Sequence, residues 1–304
     1  RKAYRICCRS IPTPIPTPIT PCPSIILADI ATTNDGITWL LNHDTIILKC
    51  QILEIPAGQT LQINHNTLTN NGTINVRGLL RNTTEFSLLT SNSETINNGT
   101  INVFLTGSIA CSNEYFGVGD AIFTNNGLIN INNSGYIFCQ TFGVINNNSG
   151  GRINNNNGAL FRINARGIFN NNSVFINNIG ADIINNGNGS GIGGIINNNN
   201  GAYIINYATI SNGLSTNSYG DINNNGTIIN IGIINNAYFA TITNNAGGTI
   251  TNNAGGIIYN NQNGTITTVG IFTNNGIINN ADGSSTCGIG ILTGITTIYT
   301  TCPP

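Results

Sequence analysis

Aliphatic residues return along this chain at short fixed intervals. Each is followed by a pair of asparagines and, within a few positions, by glycine. Ile96-Asn97-Asn98-Gly99, Phe123-Thr124-Asn125-Asn126-Gly127 and Phe272-Thr273-Asn274-Asn275-Gly276 carry the phrase. Its cleanest run, Thr241 to Thr268, reads TITNNAGG-TITNNAGG-IIYNNQNG-TITT, so that Ile242, Ile250, Ile258 and Ile266 recur every eight residues. Asn244, Asn252 and Asn260 keep the same step, as do Asn245, Asn253 and Asn261. A fixed short period marks a repeat architecture. The unit is too short for a pair of helices, and Asn, Gly and β-branched residues disfavour helix. It suits a strand of about four residues and one tight turn. Alternation in Thr-Ile-Thr predicts the four isoleucines inward, as core, with the threonines outward. Glycine after asparagine tolerates positive φ and is expected to turn the chain.

Asn-Gly between apolar runs is also a hairpin signal. The sameness of successive units favours parallel coils instead. There, like stacks on like, and asparagine side chains form amide ladders as in cross-β stacks. Asn244, Asn252 and Asn260, together with Asn245, Asn253 and Asn261, are the expected ladder, each buried amide satisfied from the coils above and below. Two or three units per coil give ~16–24 residues, and at ~4.8 Å per coil a rod of ~55–85 Å with ~12–17 coils.

Composition sharpens this picture. Asn supplies 58 of the 304 residues and Ile 53, while charged residues make up only 7% and the net charge is −1. That balance offers no electrostatic attraction to nucleic acid or to an anionic membrane. No apolar run approaches the ~20 residues of a membrane helix, so no membrane insertion is expected. The hydrophobic 39%, regularly placed, is enough to bury a core. Methionine is absent, which reads as a processed start. Eight cysteines, Cys7, Cys8, Cys22, Cys50, Cys111, Cys139, Cys287 and Cys302, are disulfide candidates and point to an oxidising compartment. Cys287 with Cys302 is the nearest local pairing, and buried unpaired thiols are the alternative.

Four regions follow. Residues 1–23 form an extended Pro/Cys-rich arm, because IPTPIPTPITPCP favours polyproline-like backbone and cannot enter a sheet interior. Residues 24–67 form an N-terminal cap and the first coils, 68–282 the Asn/Ile/Gly solenoid, and 283–304 a C-terminal cap strand. Ile55-Pro-Ala-Gly-Gln-Thr-Leu-Gln-Ile63, followed by Leu68-Thr-Asn-Asn-Gly-Thr-Ile-Asn75, resembles the opening coils of right-handed parallel β-helix proteins. These include haemagglutinin-type adhesins and Asn/Ile-rich repeat proteins of giant DNA viruses and other AT-rich genomes. The resemblance covers roughly residues 45–280. It implies right-handedness, a surface or extracellular location, adhesion or fibre formation, and no shared catalytic residues. The right-handed bias of parallel crossovers points the same way.

Parallel β-helices also include polysaccharide-active enzymes, whose chemistry needs paired carboxylates. Beyond residue 121 the only acids are Asp182, Asp221 and Asp282. Arg81, Glu114 and Asp120 read as a solvated cluster, and His43-Asp44 with His65 lacks metal-ligand spacing. No catalytic, cofactor-binding or metal-ligating residue is assigned. Thr249/Thr251 and Thr265/Thr267 would stack into an ice-binding face if two units made a coil. The sequence thus predicts an all-β chain, a right-handed parallel β-helix with an extended Pro-rich N-terminal arm, secreted or exposed on a cell or virion. The expected function is structural: copies join head to tail into a fibre or coat, with arm exchange as a fastening. The alternative is a monomeric or trimeric adhesin shaft contacting a host-surface glycan or protein. A polysaccharide-active enzyme and an ice-binding solenoid rank below both.

Overall fold

The computed structural model describes residues 23–83, 92–113, 120–187, 192–214, 219–288 and 290–294. The arm, with Cys7, Cys8 and Cys22, therefore lies outside the described residues, as does Cys302. Three parallel sheets face one another as the sides of a prism. The first face holds twelve strands, from Ser24–Ile25 to Ile291–Gly294. The second holds twelve, from Ala31–Thr33 to Ile277–Asn280, and the third eleven, from Thr45–Ile47 to Ser285–Gly288. Apart from Ala31–Thr33, each strand pairs in parallel with the strand of the same face one coil away, so the protein is an all-β parallel solenoid.

One coil therefore takes three units. Thr241–Asn244 lies on the third face, Thr249–Asn252 on the first and Ile257–Asn260 on the second; Thr265 then returns to sit on Thr241. About eleven coils at ~4.8 Å give a rod of about 50 Å, shorter than the sequence suggested because coils use three units. Ile242, Ile250, Ile258 and Ile266 are all buried, one side chain from each face meeting at the axis. Most layers of the C-terminal half are three isoleucines, such as Ile204, Ile210 and Ile222. They leave a wholly apolar void of about 20 Å³, a lining that offers water no hydrogen-bond partner. The layer of Phe161, Phe169 and Phe175 differs most: the three rings meet with centroids 4.8, 4.8 and 5.3 Å apart, mostly edge to face.

Turns come in two lengths, and they use glycine differently. In four-residue turns the third residue takes positive φ, as Gly180 (79°), Gly247 (86°) and Gly255 (89°) do. The fourth residue's amide then donates to the carbonyl of the first, as in Gly248 N to Asn245 O at 2.9 Å. Two-residue turns such as Asn71-Gly72, Asn98-Gly99 and Asn126-Gly127 have no positive φ at glycine. There glycine is required by close approach: a Cβ on Gly99 would run into the carbonyl oxygen of Gly72 one coil away. Gly99→Ala should therefore cost about 1–3 kcal/mol through backbone displacement, seen as a lowered denaturation midpoint.

The N-terminal end is closed. After the short helix Leu27–Asp29 the chain makes the one antiparallel pairing among the described strands, Ala31–Thr33 with Thr38–Leu41. Leu27, Ile30 and Leu41 bury themselves over the first coil, and Trp39 packs against the same core.

Candidate functional site

The asparagines that the repeat places just after each inward aliphatic residue end their strands, pointing into the prism at its corners. Asn244, Asn252 and Asn260 are fully buried, at three different corners of one coil. They do not stack on one another; each belongs to its own ladder because the coil holds three units. The third-face ladder runs Asn70–Asn97–Asn125–Asn147–Asn171–Asn198–Asn224–Asn244, with Nδ2 to Oδ1 distances of 2.7 or 2.8 Å, and ends on the Thr268 hydroxyl. The first-face ladder begins at Asn155 and runs through Asn177, Asn206, Asn230 and Asn252 to Asn274. Coils before it carry Ile55, Val76, Val103 and Ile131 at that register. The second-face ladder runs from Asn185 through Asn212 and Asn236 to Asn260 and Asn280.

Along each inner row the amides donate towards the C-terminal end, and each one after the first accepts from the coil before; Asn70, first on the third face, accepts instead from the Gly72 amide at 3.1 Å. The first members on the other two faces, Asn155 and Asn185, consequently hold a buried Oδ1 with no donor. Nδ2 also reaches backbone carbonyls, as Asn206 does to Ile233 at 3.0 Å. Each amide thus welds a strand end to the next coil's backbone.

The second asparagine of each pair behaves otherwise. Asn245, Asn253 and Asn261 open four-residue turns, half-buried, and their carbonyls close those turns. They take no part in the inner ladders. In earlier coils this position builds shallow outer rows, Asn71–Asn98–Asn126–Asn148 at 2.8–3.0 Å, whose donors point towards the N-terminal end. Further outward rows, Asn75–Asn102–Asn130–Asn154 and Asn146–Asn170–Asn197–Asn223, run the same way.

Three of the cysteines correct another expectation. Cys50, Cys111 and Cys139 are free thiols, not disulfide partners. Cys111 and Cys139 sit in register on the second face, at ladder positions, fully buried. Each sulfhydryl is spent on a carbonyl, Cys111 on Ala121 at 3.0 Å and Cys139 on Gly143 at 2.9 Å. Burial pushes the Cys111 thiol well above its ordinary pKa, with Cys139 beside it adding to the rise. Cys50 stands on an exposed turn. Cys287 is buried on the strand Ser285–Gly288.

A scan against protein-family models finds no match, and a search of curated proteins finds none. Among solved structures, a crystal structure of a TibC-catalysed, hyper-glycosylated TibA fragment is similar at 15% identity. The match covers 90% of this chain and 92% of that one, with a TM-score of 0.27.

The polar groups weighed as chemistry are dispersed. Asp44 accepts from the Thr67 amide at 2.8 Å, and the His65 amide donates to Ser93 Oγ at 2.9 Å. Glu114 lies outside the described residues. No three His, Cys, Asp or Glu among the described residues gather closely enough to hold a metal ion. No helix among them is long and apolar enough to cross a membrane. With three units per coil, Thr249 and Thr265 fall on different faces; Thr265 and Thr267 stack instead on Thr241 and Thr243, and Ser285 and Cys287 follow them.

Asp35 holds the capping hairpin. Its Oδ1 accepts from the amides of Ile37 and Thr38 at 2.8 and 2.7 Å and from Thr33 Oγ1 at 2.9 Å. The backbone bonds from Thr38 and Ile37, with help from Thr33, lower its pKa from 3.8 to about 2. Since the folded value is the depressed one, the cap's contribution is present above 3.8 and lost as pH falls through about 2. Amide exchange at Ile37 and Thr38 should accelerate over that window, and Asp35→Asn should remove the pH dependence.

Proposed function

We propose that this chain is the rigid shaft of a surface-exposed, adhesin-like protein. One observation carries the reading: an unbroken stack of coils, zipped by three internal amide ladders, closed at its N-terminal end by a hairpin. Stacked coils bound by nearest-neighbour contacts make a stiff, quasi-one-dimensional body suited to holding a surface at a distance. The near absence of charge suits a body that presents contacts without attracting polyelectrolytes.

Head-to-tail growth into a fibre is the second reading. Its support is the C-terminal end, where Ile277–Asn280, Ser285–Gly288 and Ile291–Gly294 each pair on one side only among the described residues. Unpaired edges can template another chain. Against it stands the antiparallel hairpin, which blocks in-register continuation at the other end. Electron microscopy of the non-reduced protein separates the two. Isolated rods of about 50 Å support the shaft. Filaments would replace it with the fibre, and compact trimers with bundled shafts.

A further inference from the structure

The edge where the first face turns into the second carries a notch. Through four coils this edge is built from four-residue turns, the last two being Asn156–Ala159 and Asn178–Ala181, and then it shortens to two residues, Tyr207-Ala208. The rod steps back there and leaves an open hollow of about 600 Å³, lined by Asn156, Asn157, Ile176, Asn178, Ile179 and Tyr207. Three features of its walls need an explanation that stability does not supply.

The outer amide row on this edge stops inside the hollow. Asn156 donates to Asn132 at 2.9 Å, and Asn178 donates to Asn156 at 2.8 Å. The next position is Tyr207, because Asn206 pairs with Asn177. Tyr207 brings no amide, so Asn178 Oδ1 keeps an open acceptor on the tyrosine's side of the row. Asn157, exposed on the lip, hydrogen-bonds to none of the described residues through its side chain. Beside these amides stand apolar surfaces. Tyr207 is 41% exposed, and Ile179 at 76% is the most exposed large hydrophobic residue described. An isoleucine held out of a turn is a cost to a soluble rod unless something covers it.

We propose that this notch binds a neutral saccharide. A pyranose presents hydroxyls around its rim and C–H groups on its faces. Tyr207 and Ile179 offer the flat and apolar surfaces for the C–H face, as aromatic rings do in mixed sites. Asn178 Oδ1 and the Asn157 amide supply one acceptor and a donor–acceptor pair for hydroxyls. No charged side chain lines the hollow, which selects against anionic and cationic ligands. The proposal adds a contact point to the shaft reading and stands on the notch alone; a rod that binds no sugar remains a shaft.

The test is saturation-transfer NMR on the full chain with a panel of neutral methyl glycosides and disaccharides, with a neutral peptide of similar size beside it. Tyr207→Asn is the decisive variant. It removes the ring, lets a new amide continue the row onto Asn178 Oδ1, and should preserve the fold. Ile179→Ser is the second variant. The expected result is transfer to at least one saccharide in the native protein, weakened at least tenfold in both variants. Rods should be unchanged by electron microscopy. Transfer to no saccharide, transfer unchanged in Tyr207→Asn, or transfer to the peptide alone would overturn the proposal. Loss of rods in the native protein would instead remove the shaft.

Discussion

Replacing Asn230 with alanine should lower the stability of the rod by about 2–4 kcal/mol, because it strands a buried amide oxygen and several carbonyls in a dry interior. Asn230 Nδ2 donates to Asn252 Oδ1 at 2.8 Å and reaches the carbonyls of Gly232 and Ile257; its Oδ1 accepts from Asn206. Removal leaves Asn252 without its donor from the coil above. The informative control is Asn155→Val. Asn155 already carries an unpaired Oδ1 as the first member of the row. Deleting it moves the orphan one coil down, to Asn177, instead of creating a second one. Its cost should be well under half that of Asn230→Ala. Equal losses in urea denaturation would show that ladder continuity does not matter. Asn130→Ala, in an outer half-buried row, should cost about 0.5–1.5 kcal/mol, the net worth of an ordinary hydrogen bond.

The second large effect lies at the phenylalanine layer. Phe175→Ala should cost about 3–5 kcal/mol, the range for truncating a buried aromatic residue. The three rings fill the cross-section between them; the strand of Phe169 is fixed by the third-face ladder through Asn171, and the strand of Phe161 by backbone pairing to Tyr136–Gln140 and Asp182–Asn185 on either side. The layer therefore cannot collapse to close the gap. The space left would be apolar and should stay dry, so a small apolar probe such as benzene should bind and recover part of the loss. A thermal-shift measurement with and without benzene checks both halves. Loss of stability without any benzene effect would mean that the layer does collapse.

Much of this was legible in the sequence, for local reasons. Inward Ile242 and a strand-ending asparagine followed by a turn are properties of one unit, and eight residues suffice to display them. Which unit lies on which is a property of whole coils. Locally, Asn244 and Asn252 look like stacking partners because identical octets follow each other. Only the closure of three faces places Asn252 under Asn230 instead. The glycine of Asn98-Gly99 likewise looked like a conformational device; its real constraint is a neighbour one coil away. Cys111 and Cys139 could not be recognised as ladder members without the register. The notch at Tyr207 depends on turn lengths compared across coils, which no single stretch of sequence displays.

The opposed directions of the amide rows have an electrical consequence. An α-helix sums its peptide dipoles into partial charges at its two tips, which is why its ends attract ions. Here the inner rows carry their positive ends towards the C-terminus, and the outer rows carry theirs towards the N-terminus. The backbone dipoles lie along the axis, on the strand-to-strand bonds from coil to coil, but they alternate in direction from residue to residue, so the net moment of each sheet is small. Lengthening such a rod by further coils builds up little polarisation between its tips. Its reach can be set by the number of repeats, without either end becoming a magnet for ions.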